Sequence, residues 1–186
     1  MRRLSATAVA MAVISGITAL VLAVTPALAS TNSSKPITGP EVLSGAISGA
    51  AANANNPIIP LTLIGVVNTT APKFALGNSA VKKHGVPTKA GTLNLVLAGT
   101  PSMSQSANPK TCLETFTEDV QFTVVGSTST GVFAGASGPG AAQIHFAAFA
   151  PKFTSGPHKG QCNFNGAPLN KGAVATFLAS IVLTIK

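Results

Sequence analysis

Few side chains between residues 30 and 186 could carry out chemistry. They are the carboxylates Glu41, Glu114, Glu118 and Asp119, the histidines His84, His145 and His158, and the cysteines Cys112 and Cys162. The histidines lack metal-ligand spacing, so no metal site and no cofactor are expected, and each reads by default as a surface or rim residue. Many serines are present, but no triad spacing singles one out. Glu118 is the candidate catalytic residue. In "ETFTEDVQFTVVG" it shares parity with Phe116, Val120, Phe122 and Val124, while Asp119 shares it with Thr117, Gln121 and Thr123. An unbroken strand points Glu118 into an apolar interior, where desolvation raises a carboxyl pKa and suits it to acid-base work. A bulge at Thr117–Glu118, or a place on a barrel rim, leaves it in water instead.

The stretch "GVFAGASGPG", Gly131 to Gly140, fails each glycine-rich chemical motif. It lacks the G-x-G-x-x-G order and the following helix of a dinucleotide site. It lacks the Lys-Ser or Lys-Thr of a phosphate loop. Pro139 stands where a nucleophile elbow needs glycine after Ser137. A structural corner between two strands remains, shaped by Gly131, Gly135, Gly138 and Gly140, with Phe133 plugging the core beside them.

The elements around these residues read as strands. Ile59, Leu61, Leu63 and Val67 fall on one parity, as do Leu93, Leu95 and Leu97, and as do Phe177, Ala179, Ile181, Leu183 and Ile185. Similar runs occur at 41–48, 114–126 and 141–150, with weaker ones at 73–81 and 160–165. "SGAISGAAANA" has too many glycines and too few large apolar residues for a stable helix. Seven or eight short strands with Gly-, Pro- and Asn-rich turns predict an all-β sandwich or barrel.

Charge and localisation signals bound the function. Arg2-Arg3, the apolar run Ala8 to Val24 and Ala27-Leu28-Ala29 have the anatomy of a signal peptide cleaved near Ala29. Residues 30–40 then read as a flexible leader and 41–186 as one domain. In an exported chain Cys112 and Cys162 most simply form one disulfide, with a metal pair or reactive thiol as the competing reading. Ten lysines, no arginine and four acids leave residues 30–186 near +6. The lysines are scattered, and Arg, Tyr and Trp are missing there, so nucleic acid is not the expected partner. Weak attraction to anionic cell-surface polymers fits the charge. Only 9 % of residues are charged. Outward rows carrying Ile64, Val66, Val96, Leu178 and Val182 suggest a face covered by a neighbour, as in a homo-oligomer.

The segment "VVGSTSTGVFAGASGPGAAQIHF" resembles the "GGTGRFAGATGSG" signature of the allene oxide cyclase and dirigent barrel superfamily. Gly131, Phe133, Ala134, Gly135, Ala136, Gly138 and Gly140 stand in matching places. With "NPKTC" and "GQC", the pattern over 41–186 is similar to small secreted bacterial members. The resemblance implies an antiparallel eight-stranded barrel, often trimeric in plants, with a cavity for a small hydrophobic ligand. It also implies catalysis either by steric confinement around a polar anchor and a glutamate or by pocket aspartates and an arginine, and residues 30–186 contain no arginine, no tyrosine and one aspartate. The expected function is therefore a secreted, non-catalytic binding or structural module. The alternative is a cyclase-like or dirigent-like enzyme that confines a hydrophobic substrate beside Glu118.

Overall fold

The structure is a computed structural model that describes residues 35–76 and 83–186. The signal-peptide segment lies outside them. Nine strands follow in chain order: β1 Ile37–Ser48, β2 Ile58–Gly65, β3 Thr69–Ala75, β4 Lys83–Thr88, β5 Gly91–Leu97, β6 Ser102–Asn108, β7 Leu113–Val125, β8 Ser137–Phe149 and β9 Leu169–Ile185. Eight of them form one antiparallel sheet in the order β3-β2-β1-β9-β8-β7-β5-β4, curled into a nearly closed barrel. The seam lies between β3 and β4, where the Lys89 N–H donates to the Thr70 carbonyl at 3.1 Å.

The period-two rows build the core. Leu43, Ile59, Leu61, Leu63, Leu93, Ile181 and Leu183 are fully buried, and each lies on the inward parity of its strand. β1 begins at Ile37 because Ile37–Pro40 pair with β9 from Ile185 to Val182, so these four residues of the expected leader are ladder residues. β8 and β9 start at Ser137 and Leu169, earlier than their apolar runs suggest. Among the described residues the only helical turns are the 3-10 turns Gly49–Ala51 and Gly131–Phe133.

β5 and β6 lie along the same edge of β7. Leu97 pairs with Phe122 and Ser102 with Asp119, so the four residues 98–101 bulge out over two positions of β7. Asn108 Oδ1 then accepts from the Lys110 and Thr111 N–H groups, closing the turn into β7. At its end Cys112, with φ +59°, bonds to Cys162, Cα to Cα 5.2 Å. The disulfide ties this turn to the long connection between β8 and β9. The weak strand expected at 160–165 is only the bridge Lys152–Cys162. That expected at 73–81 is β3 at its start, with 77–81 outside the described residues.

The glycine-rich stretch is a corner for its first half only. Gly131 and Gly135 have φ of +62° and +73° in the β7–β8 connection, which glycine adopts without a Cβ penalty. Phe133 between them is fully buried. Gly138 and Gly140 lie inside β8 instead. A Cβ on Gly140 would stand 2.4 Å from the Phe122 ring, so this glycine makes room for a core aromatic on the paired strand.

Candidate functional site

β7 runs unbroken from Leu113 to Val125 in continuous register with β8, Glu118 opposite Ile144. No bulge intervenes at Thr117–Glu118. Glu118 therefore keeps the parity of Val120 and Phe122 and faces inward, 8 % exposed. Its Oε1 has no hydrogen-bond partner. Unpaired buried carboxylate oxygens are costly, which makes this side chain conspicuous.

Glu118 borders a lumen cavity of about 50 Å³, walled by Phe74 of β3 and Leu76 just after it, Leu95 and Leu97 of β5, Val120 and Phe122 of β7, and Phe177 of β9. The Phe74 and Phe177 rings meet at a centroid distance of 5.0 Å and close one side. His84 also lines this cavity. It is half-buried, which fits the rim position expected of it better than a fully exposed one. Its position follows from β4, where it shares parity with the fully buried Val86. The sequence signal was that single valine, two residues away across a glycine. His145 is half-buried between Thr117 and Thr176. His158 is exposed and pairs with Gln161 at 3.0 Å. Among the described residues no group of three or more His, Cys, Asp or Glu is placed to hold a metal ion.

A space of this size takes a few waters, each needing roughly 10–15 Å³. Pockets for drug-sized ligands run to about 300–1,000 Å³. Leucine, isoleucine, valine, phenylalanine and alanine side chains pack together as the core of the barrel.

A second carboxylate is buried more deeply, one that the sequence did not single out from the other acids. Glu41 is inward on β1, opposite Gly65 of β2 and Ile181 of β9, and is fully buried. Its Oε2 accepts the Val67 N–H at 2.8 Å, holding the β2–β3 turn, while Oε1 has no partner. Burial pushes its pKa from 4.5 up to about 7, against the opposing pull of the Val67 and Val66 N–H groups. Gly65 is required here, since a Cβ would lie 2.9 Å from Glu41 Cα and 3.0 Å from its Oε2. The parity of Leu43 would have marked Glu41 as inward.

The outside of the barrel is divided by charge. The outward rows of β2, β1 and β8, and of β9 from Val174, contain no Lys, Arg, Asp or Glu. Val42 sits opposite Ile64 and Ser180, with Leu178 and Val182 on either side of Ser180. These four apolar side chains are 40–57 % exposed. Beside them an outer groove of about 810 Å³ runs between the 98–101 bulge and the surface carrying Gln121, Ala141, Gln143 and Leu178. Asp119 is its one charged wall residue and accepts from Gln143 Nε2 at 2.9 Å. Compared with family models, with curated proteins and with solved structures, the chain finds no match.

Proposed function

We propose that this chain is an exported, disulfide-clamped β-barrel that acts as a non-catalytic interaction module through the outside of the barrel. The observation that carries the reading is the contrast between a lumen filled by core side chains and an uncharged outer face exposing Val42, Ile64, Leu178 and Val182. Contiguous apolar patches of roughly a few hundred Å² mark contact sites on soluble proteins. A second copy of the chain is the partner this face suits, because copies whose residues 30–186 carry about +6 approach best where lysine is missing. The lysines elsewhere suit weak, salt-sensitive contact with anionic cell-surface polymers. The signal-like N-terminus and the resemblance to the cyclase and dirigent barrels support export and this architecture.

Native mass spectrometry tests the proposal. A homo-oligomer without stoichiometric small molecule is expected, and Leu178→Lys/Val182→Lys should dissociate the face contact. A wild-type monomer would refute self-association through this face.

One observation favours a second reading, a cyclase-like or dirigent-like enzyme. Glu118 Oε1 is unpartnered at an apolar cavity that His84 also lines. A small hydrophobic compound retained by the wild type and released by Glu118→Gln would favour this reading over the first.

A further inference from the structure

The strand edges of the barrel are unequally protected. An unpaired edge offers backbone N–H and C=O groups to another chain, and proteins guard such edges with lysine, proline or bulges. At the seam β3 carries Pro72 and Lys73, and β4 carries Lys83 and Pro87. β6 carries none of these. Its sequence is SMSQSAN, every residue is exposed, and among the described residues it pairs only with β7. Its other edge has neither charge nor proline over seven residues.

From this unguarded edge we propose that β6 is a strand-addition site for a second copy of this chain, the two β6 strands pairing antiparallel about Gln105. The residues suit themselves in that register. Met103, 63 % exposed, would face Ala107 of the second copy, a large side chain against a small one. Ser104 would face Ser106, Ser102 would face Asn108, and Gln105 would face its own counterpart. No like charges meet, and the neutral polar side chains suit reversible pairing. A copy is the favoured occupant because the pairing is self-complementary and brings no lysines into opposition. Seven paired residues cover less than the roughly 800 Å² per partner of a standard interface, so the contact is weak, on the order of micromolar.

This contact is independent of the apolar outer face, and the test separates the two. Sedimentation velocity at about 100 μM is run on Leu178→Lys/Val182→Lys, which removes the face contact. A dimer is expected to remain. Adding Ser104→Lys/Ser106→Lys places lysine opposite lysine twice and should weaken that dimer about tenfold or more. Replacing that pair with Ser104→Lys/Ser106→Glu places lysine opposite glutamate twice and should restore it. These serines are exposed, and a circular-dichroism spectrum matching wild type checks folding. A monomer in the first variant, a dimer insensitive to the lysine pair, or no recovery with the Lys/Glu pair would each overturn the β6 site while leaving the outer-face reading untouched.

Discussion

Glu41 should make the barrel lose stability as pH rises toward neutrality, opposite to the usual behaviour of a paired carboxylate. Its folded pKa is raised from 4.5 to about 7, with desolvation as the leading cause. Between those values the folded chain holds a proton at Glu41 that the unfolded chain has released. The stabilising contribution is therefore fully present below about pH 4.5 and is lost as pH climbs through about 7. Each unit of difference is worth about 1.4 kcal/mol, so the full loss is about 3 kcal/mol. Glu41→Gln keeps an acceptor for the Val67 N–H but does not titrate. Urea unfolding of both proteins, disulfide intact, should show the wild type losing about 3 kcal/mol more than the variant between pH 4 and pH 8. With an m-value of about 2 kcal/mol/M, that is a midpoint difference of about 1.5 M. Comparing the two slopes removes the contribution of the histidines. Parallel pH profiles would refute the reasoning, since they would mean that Glu41 titrates alike in the folded and unfolded chains.

Reducing Cys112–Cys162, whose partners lie 50 residues apart, should lower stability by about 4 kcal/mol in the chain-entropy model. A free-thiol assay on the unreduced, denatured protein should detect no thiol. Gly140→Ala drives a methyl group into the Phe122 ring and should cost about 1–3 kcal/mol, seen as a lower melting temperature by calorimetry. Glu118→Leu removes a buried oxygen without a partner and should raise stability by about 1–3 kcal/mol in urea unfolding. A loss would show that the carboxylate is satisfied in solution.

Much of the barrel was legible because its inner rows are strongly apolar. In β2 and β9 every second residue had to be withdrawn from water, and period two reports that directly. β4 and β6 escaped for opposite reasons. β4 is short and broken by Gly85 and Pro87, so only Val86 signals its inner face. β6 is exposed on both faces, and no burial pattern is written into it. The glycine-rich stretch announced a tight corner, yet the role of Gly140 depends on a phenylalanine eighteen residues earlier.

The sequence by itself determined the all-β class, the inward rows of β2, β5 and β9, the single pair that two cysteines can make and the parity Glu118 takes in an unbroken strand. Each is a local property, of alternation along a strand or of residue inventory. Tertiary structure decided that the lumen is nearly filled, that His84 and Glu118 border the same cavity, that Glu41 is sealed beneath the β2–β3 turn, and that β6 has an open edge. Those outcomes depend on which strands become neighbours, and pairing across long sequence separations leaves no periodic trace in the chain.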